Sequence, residues 1–187
     1  MMRALQRNAW VVGLAILFAA LLAFTKVIQP GFGISGLESL ARAVLPYAFA
    51  TAAMAIVVIA GGIDLSVASM MAVAGVTSAT LMAQWGAGGT VPAVVICLMI
   101  GAAMGAINGA AIVLTRVPDI VVTLAMMYVW EGAALLILNG PGGTATPWLR
   151  EVILGTVGIP GLGWLPQAVV VLAVCIAVLW LSLRRSR

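Results

Sequence analysis

The chain has 187 residues, of which 64% are apolar and 7% charged, whereas ordinary soluble domains carry roughly 25% charge. It is therefore read as a polytopic membrane protein. Histidine is absent, which excludes a Ser-His-Asp triad and histidine metal sites. The net charge of +4 does not point to nucleic acid, because the basic residues stand at the ends of apolar runs, where they orient a chain in a membrane.

In chain order, Arg3 and Arg7 precede an apolar stretch from Ala9 to Thr25. A cleaved signal would release a soluble domain, but more membrane-length apolar sequence follows, so the first segment is expected to stay as a span. A span takes about 20 mostly apolar residues and must be helical to pair its own backbone in lipid. On that length the expected spans are 10–28, 43–63, 65–84, 91–114, 120–138 and 166–183. The expected fold is an all-α bundle of about six transmembrane helices forming a single transmembrane domain over 1–187. Cys97 and Cys175 lie inside apolar stretches, form no metal or redox motif, and read as small core hydrophobes.

Orientation follows from the arginines. Six spans place Arg3, Arg7, Arg116, Arg184, Arg185 and Arg187 on one side, and Lys26, Arg42 and Arg150 on the other. The positive-inside rule then puts both termini in the cytoplasm.

Between Ala43 and Trp85 the one charged residue is Asp64, within "GGIDLS". Gly61-Gly62 permits a sharp turn. Two readings of Asp64 stand: it caps the next helix by accepting its free N–H groups, or the turn dips into the membrane and lines a path, as interrupted helices do in transporters.

In "IGAAMGAINGA", Gly101, Gly105 and Gly109 recur every four residues and share one helix face, which suits close helix packing. Asn108 lies beside that stripe and can hydrogen-bond across helices. Pro118 and Asp119 are good first-turn residues for the next helix. Glu131 falls about 18 Å further along its axis. An ionisable group at that depth costs several kcal/mol unless paired or wetted. It reads either as a functional group or as a buried partner or protonated acid. The Gly- and Pro-rich segment 140–165 is expected outside, with Trp148 and Trp164 at the interface and a short surface helix over Trp148–Val157. That segment is either a connector or a docking surface. There is no GxxxxGK[ST] loop, so any ATP use belongs to another chain.

These stretches resemble the permease subunits of ABC importers for ribose, xylose, rhamnose and autoinducer-2. The likeness is carried by "GGIDLSVAS" at 61–69, "GAAMGAINGAAIVLTRVPDIVVTLAMMYVWEGAALLILNG" at 101–140, and the closing "WLSLRRSR". The resemblance implies a partial ABC-importer permease fold in the inner membrane, with a second permease subunit, cytoplasmic ATP-binding subunits and a periplasmic sugar-binding protein as partners. Two positions depart from the family pattern: Ala68 stands where glycine is usual, and Glu131 where arginine is frequent. The likeness is to the N-terminal half of such permeases, so the C-terminal half of the family domain is expected to be missing.

No catalytic residue, metal or cofactor is expected. The expected role is a passive path for a monosaccharide, a pentose, deoxyhexose or similar, whose access alternates as the ATPase cycles. Its path or gate residues are Gly61, Gly62, Asp64, Ser66, Asn108, Thr123 and Glu131, with Gly101, Gly105 and Gly109 packing helices. The alternative is a stand-alone secondary transporter or small channel, which would need intramembrane acids, and Glu131 is the one deep candidate. A membrane-embedded enzyme lacks both histidine and paired carboxylates.

Overall fold

The computed structural model describes residues 9–138, 140, 142–155 and 167–185. Arg3, Arg7, Trp164 and Arg187 lie outside them, as does residue 157, the expected end of the short surface helix. The described residues form α1 (Ala9–Ile28), α2 (Ile34–Ile59), α3 (Val67–Trp85), α4 (Thr90–Thr115), α5 (Asp119–Ile137), α6 (Pro147–Leu154) and α7 (Gln167–Arg185). No strand occurs among them. The fold is a polytopic membrane helix bundle. Four stretches among the described residues are long and apolar enough to cross a membrane: Ala9–Ile28, Ile34–Ile59, Val67–Thr115 and Asp119–Ile137. The 49-residue stretch Val67–Thr115 contains α3 and α4, which fold back on each other through a 3-10 turn at Gly86–Gly89.

The bounds of α2 and the start of α3 differ from the apolar runs. α2 starts at Ile34, upstream of residue 43, because Glu38 and Arg42 interrupt hydropathy without interrupting helix formation. It stops at Ile59, and α3 starts at Val67, so 60–66 is a non-helical insert in the apolar sequence.

The chain divides into two compact units, Met1–Ala43 and Val44–Arg187, with the division falling inside α2. In the first unit α1 buries no residue. Lys26 Nζ closes its end by donating to the carbonyls of Pro30 (2.7 Å) and Phe32 (2.6 Å), a favourable place for a cation at a helix C-terminus.

In the second unit α3 packs against both α4 and α5. Val73, Met104 and Ala134, one from each helix, form the buried core, with Met70, Val76, Ile100, Trp130 and Ala133 packed around it. Side-chain bonds fix the helix directions. Asn108 reaches Ser66 and Cys97 reaches Ala74, so α4 runs antiparallel to α3. Thr123 bonds Leu65 at the start of α3, while Ala134 joins Val73 further along, so α5 runs parallel to α3. At the far end the chain after α5 returns to α3, where Thr144 N donates to Ala79 O at 3.3 Å. The hydroxyls of Thr90 and Thr146, both buried, lie 2.6 Å apart. α6 begins with Pro147 in its first turn, and Gln167 N at the head of α7 donates to Gly155 O at 2.8 Å.

Candidate functional site: the polar turn between α2 and α3

The turn begins where α2 closes. Gly61 N donates to Val58 O and Gly62 N to Val57 O, each at 3.0 Å, with Gly61 at φ +86°. This pair of bonds is the Schellman ending, whose left-handed position strongly favours glycine. Gly62 serves a different end: a Cβ there would stand 3.2 Å from Asp119 Oδ2.

Beyond the glycines, the backbone of 63–65 leaves helical pairing. α5 supplies the missing partners from one face, since Asp119 and Thr123 are four residues apart. Ile63 N donates to Asp119 Oδ2. Thr123 Oγ1 donates to Ile63 O (3.3 Å) and accepts from Leu65 N (3.2 Å). Thr123 is 1% exposed, so an unbonded hydroxyl there would be costly.

Asp64 does not sit at the helix cap. Its Oδ1 accepts from Ser66 N at 2.7 Å and from Ser66 Oγ at 2.6 Å, an Asx turn immediately ahead of α3. The cap position belongs to Ser66, which makes no side-chain capping bond. Asp64 thus takes one free N–H at the head of α3, as the capping reading expects, but from two residues before the cap position. The hydroxyl of Ser66 ties the carboxylate to the core instead: Trp130 Nε1 donates to Asn108 Oδ1 (3.2 Å), Asn108 Nδ2 to Ser66 Oγ (2.7 Å), and Ser66 Oγ to Asp64. Every donor in this series points toward the carboxylate. Ser66 and Asn108 are buried at 0% and 3% exposure. Amide and indole groups do not relay protons; the series orients and stabilises a fixed negative charge.

The turn starts level with the first residue of α5 and lies below the end of α4. Ser66 faces Asn108, and α4 continues another seven residues to Thr115, roughly 10 Å at the helical rise. Above it opens a pocket of about 670 Å³, within the range of small-molecule sites. Gly61, Gly62, Asp64, Asn108 and Thr123 line it, with Ser66 buried behind. Six of the seven expected path residues thus converge. Glu131 does not: it lies on an exposed face of α5 and its side chain makes no hydrogen bond or ion pair among the described residues.

The glycine stripe also takes a different place. Beyond the local backbone of α4, no atom of the described residues lies within 4 Å of where a Cβ on Gly101, Gly105 or Gly109 would stand. Gly105 and Gly109 line the pocket instead of meeting another helix among the described residues. Two charged lining residues were not expected. Asp119, read from sequence as a first-turn acid, reaches across to the turn. Arg116 closes α4 in the left-handed conformation (φ 58°); the signal for it was a basic residue two positions before Pro118, where the helix has to end.

Residues 36–187 match the family described as the branched-chain amino acid transport system / permease component. The chain is also similar to the autoinducer 2 import system permease protein LsrD of Escherichia coli (strain K12) and of Shigella flexneri. Each is 29% identical over 136 residues, covering 71% of this chain and 40% of the relative. The chain thus spans 40% of the length of the curated relatives it matches. No solved structure matches it.

Proposed function

The chain belongs to the branched-chain amino acid transport system / permease component family, and we propose that it forms part of the membrane pathway of an ABC importer for a monosaccharide or similar polyol. The observation that carries this reading is the recessed turn at 60–66. Non-helical backbone at such depth is stable only where protein or a water-filled cavity surrounds it. Here it is paired by Asp119 and Thr123 on one side and opens to the pocket on the other. Irregular backbone that borders a cavity in this way lines the substrate path of many transporters.

The lining suits a neutral polyhydroxylated cargo. Two carboxylates, Asp64 and Asp119, and one guanidinium, Arg116, offer acceptors and donors to hydroxyl groups above a largely apolar floor. Opposite charges in one pocket favour no single ionic cargo, and a path must bind weakly enough to release. The relatives' name, an autoinducer 2 import permease, supports a small sugar-like cargo over an amino acid. With both termini cytoplasmic, the turn faces the cytoplasm and the pocket is an exit vestibule. Energy comes from separate cytoplasmic ATP-binding subunits, and delivery from a periplasmic sugar-binding protein, with a second permease subunit completing the path in the inner membrane.

The test is labelled-pentose uptake in cells stripped of their own importers. The chain is expressed with the C-terminal part of a family permease, the ATP-binding subunits and the binding protein. Accumulation is expected only with a hydrolysis-competent ATPase, and Asp64→Ala is expected to lower it severalfold at unchanged abundance. Accumulation without the ATPase that collapses on addition of a protonophore would replace this reading with a secondary transporter.

A further inference from the structure

The pocket wall contributed by Gly61–Asp64 is held from two sides. At its start, the Schellman bonds anchor it to α2; at its end, Ser66 is anchored to Asn108 on α4. Between those anchors the wall meets α5 through two residues. Thr123 lies deeper, is fully buried, and bonds Ile63 O and Leu65 N. Asp119 lies one turn nearer the pocket mouth and is half-buried, and its carboxylate takes the N–H of Ile63. Its second oxygen accepts from its own helix at Ile120 N (3.0 Å), which fixes the side chain's direction.

We propose that Asp119 is a positioning residue: its carboxylate latches the Gly61–Asp64 wall onto α5 and so sets the width of the pocket mouth and the place of Asp64 within it. Two observations carry this. The bond joins residues 56 positions apart, so no local geometry enforces it. The second glycine of the motif is the one whose missing Cβ leaves room for the same carboxylate oxygen. Gly62 and Asp119 are therefore one device contributed by two helix ends. The hinge is supplied by the glycine pair, since Gly61 already occupies a conformation that other residues resist. Ile63 is 45% exposed, so water can take over its N–H when the latch opens, and release leaves no buried donor stranded. The inference rests on the shape of the pocket and not on its cargo.

The experiment uses the full chain in lipid nanodiscs, with Cys97 and Cys175 replaced by serine and one cysteine placed at Ile63. The readout is the rate of its reaction with a small maleimide. Asp119→Ala is expected to raise that rate about tenfold, the scale of losing a charge-assisted bond. Asp119→Asn, which keeps an acceptor, should restore most of the protection. Gly62→Ala should raise the rate in the parent but add nothing in the Asp119→Ala background, since both act on the same contact. A reporter cysteine at Ala87, in the exposed 3-10 turn at the other end of α3, should not respond to any of these changes. The proposal is overturned if Asp119→Ala leaves the Ile63 rate unchanged, if both reporters accelerate together, or if the Gly62 and Asp119 effects simply add.

Discussion

The α3–α4–α5 unit closes its two ends by different chemistry. At one end, Thr144 bonds Ala79 and the buried hydroxyls of Thr90 and Thr146 face each other, with no charged group taking part. At the other, two carboxylates, an asparagine and a threonine hold an irregular turn below the end of α4 and leave a pocket of about 670 Å³ open beside it. A neutral, mutually satisfied pair makes a seal. A fixed charge on an irregular backbone keeps a site wet, because an ionised carboxylate is not taken fully out of water without a partner cation. The contrast separates what holds the helices together from what they were shaped to do.

The strongest challenge to that contrast is Asn108→Leu. It removes the support of Ser66 Oγ and strands the Trp130 indole N–H inside the open end. A loss of about 2 kcal/mol is expected, read as a shift in the SDS-unfolding midpoint in mixed micelles, together with faster labelling of a cysteine at Ile63. A stability loss with unchanged labelling would mean that the network packs helices and does not position the turn.

A smaller effect is expected at the sealed end. Thr90→Val keeps the volume but leaves the Thr146 hydroxyl without its partner, costing about 1 kcal/mol. Labelling at Ile63 should not change. If it does, the two ends are coupled through α3, and the division of labour fails.

The smallest effect is expected at Gly105→Leu. The periodicity of the stripe suggests a close helix contact worth several kcal/mol, yet space is open around the position in this chain and Gly105 borders the pocket. Stability of the chain alone should stay within about 0.5 kcal/mol, as for substitutions away from packed features, while the added side chain narrows the pocket. A large destabilisation would show that α4 is packed there after all.

How far the site could be read in advance differs from residue to residue. Gly61, Gly62 and Asp64 stood out because a glycine pair and a carboxylate interrupt an apolar run, and helix termination is a local property. The start of α2 was misplaced because hydropathy marks lipid contact and not helix formation, so Glu38 and Arg42 hid nine residues of helix from 34 to 42. Asp119 was read correctly as a first-turn acid, but its second task, across 56 residues, left no local trace. For Glu131 the depth along the helix followed from arithmetic, while the face it occupies did not.

Composition and backbone preference were enough to determine residence in a membrane, the all-helical class, and the break at Gly61–Gly62. Each depends on residues adjacent in sequence. Only the tertiary structure decided that Asp119, Thr123 and Asn108 converge on residues 63–66, and that Gly105 and Gly109 border a cavity. The physical reason is that these helices are apolar nearly all round. A helix with a polar and an apolar face announces its rotation in its sequence. In helices like these the face is set by register against a neighbour, through contacts between residues far apart in the chain.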